Sequence, residues 1–227
     1  MCFQRTYQDI RNRGKIGTGS VIAFERIPFT SIRSLADLGG FFSNRLIYRK
    51  QSPCDIDGRG YKNFIHVVTV LRVQNGGGVA DDELMALEHT AGMKEYAPQR
   101  LSTMIEEYVS RGGRVAWFPL KNHVQRRIDQ RKVDEYVAKH RTDKYNWTAL
   151  PLAEMHYLPF KGRAHYRKQF CSEGIMSFWT ATGIEPPYHR VWRGEFSDEP
   201  IKPWMYSPQE ILGHSVIDRR RACEVVL

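Results

Sequence analysis

An α+β fold is what this sequence predicts, with a small, mostly antiparallel sheet and helices segregated from it. Three observations lead there. Apolar runs rich in β-branched residues, such as Phe64-Ile65-His66-Val67-Val68-Thr69-Val70-Leu71, are bounded by glycine or polar turns and read as strands. The Asn75-Gly76-Gly77-Gly78 turn joins two such runs as a hairpin, which makes them antiparallel neighbours. Apolar residues three and four apart at 101–110 and 170–183 read as helices.

Each element follows from local pattern. Residues 3–13 are polar and read as a short helix. Gly17-Thr18-Gly19 opens a strand at Ser20-Val21-Ile22-Ala23-Phe24. Residues 31–48 read as helix or loop and residues 49–60 as loop. The strands at Phe64–Val73 and 83–88 flank the glycine turn. The second has helix-compatible residues, but its short reach from the turn favours a hairpin. Leu101, Met104, Ile105, Tyr108 and Val109 share one helical face, which stops at Arg111-Gly112-Gly113. Residues 114–119 form a strand. Residues 124–140 are heavily charged, with Val124, Ile128 and Val137 on one side, and read as a surface helix. Ile175, Phe178 and Trp179 mark the apolar helix at 170–183, which ends at Thr182-Gly183. The tail beyond is rich in Pro and Trp and reads as irregular, apart from a short helix opening at Ser207-Pro208, with Ser as cap and Pro in the first turn. The chain reads as a single domain, 1–227, with its core at about 17–216.

Composition narrows the function. With 227 residues, 41% of them hydrophobic, the chain buries a sizeable core, which argues against wholesale disorder. Its apolar runs are far too short for a transmembrane segment, and Met1-Cys2-Phe3-Gln4-Arg5-Thr6-Tyr7 lacks the pattern of a secretory signal. The expectation is a soluble protein of the cytoplasm or of a phage particle. Lys and Arg number 34 against 25 Asp and Glu, a formal charge of +9 that favours anionic partners. Part of the excess lies in Arg126-Arg127, Arg131-Lys132 and Arg219-Arg220-Arg221, read as solvated faces. No zinc-finger or RNA-recognition signature accompanies them, so no specific nucleic acid is expected. Cysteines stand at 2, 54, 171 and 223 with no CxxC, which argues against a disulfide scaffold and a Cys zinc cage. The histidines have no HExxH spacing, so no metal and no cofactor are expected.

One constellation carries chemistry. In Gln169-Phe170-Cys171-Ser172-Glu173-Gly174-Ile175, Cys171 stands at the first turn of an apolar helix. The positive end of the helix dipole and free backbone N–H groups favour a thiolate there, the form a nucleophile requires. A small buried hydrophobe is the simpler reading of that motif alone. His66 lies within an apolar strand, where a buried ring needs a partner. It suits a base held rigidly for a fixed sulfur, or a core His bonded to backbone. Glu88 closes the neighbouring strand and suits an acceptor that fixes the His tautomer, or an ordinary strand-end charge. His89, adjacent, would face the opposite way.

These segments fall into a recognisable order. Gly19-Ser20-Val21-Ile22-Ala23-Phe24, Phe64-Ile65-His66-Val67-Val68-Thr69-Val70, Leu87-Glu88-His89-Thr90-Ala91-Gly92-Met93 and Phe170-Cys171-Ser172-Glu173 resemble the circularly permuted NlpC-type papain-like family, the YiiX-like group. Its pattern runs from a GD-plus-apolar strand through SHVGIVV and EA…GV to CSEL. His precedes Cys, the reverse of papain and of unpermuted NlpC enzymes. Arg111-Gly112-Gly113-Arg114-Val115-Ala116 and Tyr206-Ser207-Pro208-Gln209-Glu210-Ile211 extend the likeness over about 17–216. Ser20 departs from the family's Asp, Asn63-Phe64-Ile65 from the Ser before His, and Gly174 from the Leu of CSEL. These departures bear on substrate more than on fold.

The resemblance implies a permuted papain-like domain, with the catalytic-Cys helix packed against the sheet. It implies Cys171 as nucleophile, His66 as general base and Glu88 as the third polar residue. The backbone N–H of Cys171 would supply one oxyanion donor. The implied activity is a cysteine peptidase or amidase acting on peptidoglycan stem peptides, as a wall-degrading enzyme of a phage or bacterium; a basic protein suits an anionic wall. Relatives such as lecithin–retinol acyltransferase act on acyl esters, so a lipid acyl hydrolase or acyltransferase is the second expectation. A non-enzymatic virion or assembly protein with virion partners is the third.

Overall fold

The apolar runs of the central strands do not alternate with polar residues, so burying them needs cover on both faces of the sheet. The computed structural model describes residues 4–12, 16–25, 64–73, 83–88, 98–140, 144–145, 168–169, 171–184, 191–192, 195–196 and 208–227. In chain order the strands are β1 (Gln4–Thr6), β2 (Val21–Glu25), β3 (Phe64–Val73), β4 (Glu83–Leu87), β5 (Pro98–Arg100), β6 (Val115–Phe118), β7 (Lys144–Tyr145), β8 (Lys168–Gln169), β9 (Val191–Trp192), β10 (Glu195–Phe196) and β11 (Cys223–Val226). The helices are α1 (Tyr7–Asn12), α2 (Leu101–Ser110), α3 (Asn122–Gln125), α4 (Gln130–His140), α5 (Cys171–Ala181) and α6 (Pro208–Gly213). The fold is α+β. Its main sheet has seven strands in the order β1-β11-β6-β2-β3-β4-β5. All neighbours in it run antiparallel except β1 and β11.

Two cores result. Val21 and Ala23 of β2 and Val67 and Leu71 of β3 pack with Ile175, Phe178 and Trp179 of α5. Ile22, Phe24, Val68 and Val70 pack on the other face with Leu101 and Ile105 of α2 and with Ile10 of α1. Helices therefore cover both faces, whereas the sequence predicts them segregated. The reason is the uniform burial of β2 and β6, whose Val21–Phe24 and Val115–Phe118 leave no residue for solvent. The buried core also reaches beyond 17–216, to Ile10 near one end and Cys223 and Val225 near the other.

Several boundaries differ from expectation, each for a local reason. Residues 3–13 are not one helix: β1 takes Gln4–Thr6 and pairs with β11, and the Thr6 hydroxyl then accepts the Asp9 N–H (3.1 Å) as α1 begins. The expected surface helix at 124–140 breaks in two. Ile128 leaves the helical path to pack on Gly19, and Asp129 Oδ1 accepts the Arg131 N–H (2.9 Å), capping α4. Gly19 permits that contact: its φ is +85°, and a Cβ there would stand 2.8 Å from Ile128 Cδ1. The tail is less irregular than its composition suggests, because Cys223–Val226 enters the sheet between β1 and β6. The helix read at Ser207-Pro208 is α6, starting at Pro208. The readings at 31–48, 49–60 and Asn75–Gly78 lie outside the described residues.

Candidate active site

Cys171 is the first residue of α5, whose opening residues Cys171–Met176 are all buried. The helix is held from several directions. The Trp179 indole N–H donates to the Gly19 carbonyl (3.0 Å), tying α5 to the turn that opens β2. The Tyr136 hydroxyl of α4 donates to the Gly174 carbonyl (3.3 Å), and the Tyr136 ring meets Phe178 edge-on. At the far end, the Ile184 N–H donates to the Trp179 carbonyl (2.8 Å) and the Thr182 hydroxyl to the Phe178 carbonyl (2.8 Å). Buried Trp and Tyr heads need hydrogen-bond partners, and here the partners are backbone carbonyls that set the helix position.

His66 sits near the start of β3, opposite Phe24 of β2 in the ladder, with the two rings 5.8 Å apart. Phe24 in turn packs against Tyr108 of α2 at 4.8 Å. This file of rings restricts the imidazole on one side. On another, His66 Nε2 lies 2.9 Å from Glu88 Oε1, with the two side chains 19% and 13% exposed. Glu88 stands one residue beyond β4, whose Leu87 pairs with Thr69. The carboxylate thus reaches back along the sheet to the ring, a diagonal contact rather than one directly across the hairpin.

The Cys171 side chain also acts on the same imidazole and helps to hold it protonated. Burial by itself disfavours an imidazolium, but hydrogen bonds to Cys171 and Glu88 and their Coulombic attraction outweigh it. Together they raise His66 from 6.5 to about 10. The ring therefore favours the imidazolium at neutral pH and donates Nε2–H to the Glu88 carboxylate. Burial also raises the Tyr108 phenol, against the pull of Arg111 and with help from Glu88 and Glu25, so it stays a neutral hydroxyl.

Of the three site residues expected from sequence, His66 and Glu88 meet at 2.9 Å, and Cys171 acts on the charge of His66, although the three come from separate elements. His89 lies outside the described residues. Sequence reading missed the side chains that position them: Trp179 of α5 and Tyr136 of α4, which hold the Cys171 helix, and Phe24 and Tyr108 behind His66. A polar head on an otherwise apolar helix was the available signal for Trp179. Cys171 and Cys223 are not joined in a disulfide among the described residues, and both are buried, Cys223 on β11. Among the described residues, no group of three or more His, Cys, Asp and Glu side chains is placed to hold a metal ion, and no helix is long and apolar enough to cross a membrane.

The arrangement can activate a sulfur nucleophile, supply a proton to a leaving group, and keep the imidazole in one orientation while doing so. Comparison with family models, curated proteins and solved structures finds no match for this chain.

Proposed function

We propose that this protein is a cysteine-dependent acyl hydrolase of permuted papain-like fold, cleaving an amide or peptide bond through Cys171, His66 and Glu88. The single observation that carries the reading is the 2.9 Å pair of His66 and Glu88, on an imidazole that Cys171 also helps to hold protonated. Buried ionisable groups with matched partners mark sites of chemistry. The chain order, with the His strand before the Cys helix, supports the permuted topology.

The chemistry runs in two halves. Cys171 Sγ, as thiolate, attacks the substrate carbonyl carbon and forms a C–S bond. The tetrahedral oxyanion takes the backbone N–H of Cys171 as one donor. As the C–N bond breaks, His66 gives its Nδ1 proton to the departing amine, leaving an acyl-thioester. Water then attacks the thioester carbonyl while His66 accepts its proton, the C–S bond breaks, and thiolate and imidazolium return. Glu88 holds Nε2–H throughout, so the ring neither rotates nor changes tautomer.

The substrate we favour is a stem peptide of peptidoglycan, because a +9 chain concentrates at an anionic wall. Release of new amino groups from purified wall fragments by the wild type, and its loss in Cys171→Ala, is the expected result. Turnover of phospholipid acyl esters in vesicles with no action on wall fragments would move the assignment to a lipid hydrolase or transferase. Biological function that survives Cys171→Ala would instead make the protein a binding or virion component.

A further inference from the structure

The Arg219-Arg220-Arg221 run does not lie on a plain solvated face. It borders a cleft of about 550 Å3, lined by residues that include Lys121, His123, His214, Asp218, Arg219 and Arg220. The cleft adjoins the far end of α5, where the His214 ring lies 5.3 Å from that of Trp179, rather than the end that carries Cys171. Val115 of β6 pairs with Phe24, the ladder neighbour of His66, and Lys121 lies six residues further along the chain. At about 3.3 Å per extended residue, that is at most roughly 20 Å of chain beyond the His66 end of the sheet.

The walls are fastened by backbone bonds between two distant stretches of chain. Lys121 N–H donates to the Val216 carbonyl (2.9 Å) and Asp218 N–H to the Pro119 carbonyl (2.8 Å), with a bridge between Leu120 and Ile217. The buried His214 shapes the turn, its Nδ1 accepting the Val216 N–H (3.3 Å). An imidazole that accepts there carries its proton on Nε2, and burial lowers its pKa to about 4, so it adds no charge at neutral pH.

Charge is distributed unevenly across this frame. Asp218, the carboxylate of the lining, lies 4.0 Å from Arg221. Arg221 is further occupied by Asn122 Oδ1 at 2.8 Å and by the Trp117 ring at 5.9 Å. Arg219 is steadied by one bond to the Gly213 carbonyl (3.1 Å). Among the described residues, Lys121, Arg219 and Arg220 have no carboxylate partner. Three like charges converging on one concavity repel each other, and a compact polyanion relieves that repulsion. Guanidinium forks match phosphate oxygens in pairs, and the volume falls in the range of small-ligand sites, well above what one phosphate fills.

We propose that this cleft binds a compact group of two or more phosphates, carried either by a free small molecule or by a lipid headgroup. The site is independent of the Cys171 reading and stands or falls separately from it.

Calorimetric titration of the full chain with pyrophosphate tests it. The wild type should bind saturably at one site, more weakly as salt rises. The double variant Lys121→Gln/Arg220→Gln removes two exposed cations that make no side-chain bond to the fold, and it should bind at least ten-fold more weakly. Its rate of Cys171 alkylation should match the wild type, which shows that the fold survives. Flotation with phosphatidylcholine vesicles, with and without a phosphoinositide bisphosphate, distinguishes the sources. Lipid-dependent flotation that pyrophosphate competes away supports the headgroup, and pyrophosphate binding without flotation supports a free ligand. Absence of saturable pyrophosphate binding, or equal binding by the folded double variant, overturns the proposal.

Discussion

Replacing Glu88 with Gln changes the charge beside His66 while keeping a carbonyl oxygen able to accept Nε2–H. The wild-type contact is 2.9 Å between side chains 19% and 13% exposed, so solvent screens it only in part. A hydrogen bond to a charged group contributes roughly 1.5–3 kcal/mol, and losing the charge on one partner of an ion pair removes something like half of that. At about 1.4 kcal/mol per pKa unit, His66 should fall by roughly one unit from its raised position. It should not fall to its ordinary value, because Cys171 still supports the imidazolium. The sign of the stability effect follows. His66 titrates at about 10 in the folded chain against 6.5 for an unperturbed histidine, so its contribution is fully present below pH 6.5 and is lost as pH rises toward about 10. Glu88→Gln should therefore destabilise the protein by roughly 1 kcal/mol near pH 6.5 and by little above pH 10. Titration of the His66 ring nitrogens by NMR, alongside urea unfolding at the two pH values, measures both quantities. An unchanged His66 titration in Glu88→Gln, or a wild-type ring that titrates below neutrality, would refute the assignment of Glu88 as its electrostatic partner.

Three further outcomes are expected. His66→Ala should remain folded and lose turnover on the true substrate, and near-normal activity in a folded variant would show that another base serves Cys171. Trp179→Phe deletes the bond to the Gly19 carbonyl and leaves a cavity at a fully buried site, so urea unfolding should show a loss above about 1 kcal/mol. Ser20 is fully buried and its hydroxyl has no hydrogen-bond partner, so Ser20→Ala should leave stability unchanged or raise it, and a loss above about 1 kcal/mol would contradict that account.

Much of the sheet was legible because its central strands announce themselves. Val21-Ile22-Ala23-Phe24 and the run through Leu71 are apolar, β-branched and bounded by turns, and they became β2 and β3. What those runs did not convey was the number of faces they bury, and so helices on both sides went unforeseen. β1 and β11 were illegible for another reason: at three and four residues, each exists through its pairing in the sheet, a non-local fact. The split between α3 and α4 depends on Ile128 finding Gly19, more than a hundred residues away. The candidate site was legible residue by residue, since a Cys at a helix start and a His inside an apolar strand are chemically conspicuous. Its geometry was not. That Glu88 reaches His66 from one residue past β4, and that Phe24 and Tyr108 back the ring, are consequences of register and helix packing.

The central claim is that His66 activates the Cys171 thiol, and differential alkylation tests it most directly. The protein is exposed briefly to iodoacetamide at about pH 6.5, where a free thiol is almost wholly protonated. Labelling at Cys2, Cys54, Cys171 and Cys223 is then quantified by peptide mass spectrometry, for the wild type and for His66→Ala. Cys171 should label fastest of the four in the wild type and lose that advantage in the variant. Equal labelling of all four thiols, protection of Cys171 alone, or a Cys171 rate indifferent to His66→Ala would contradict the claim.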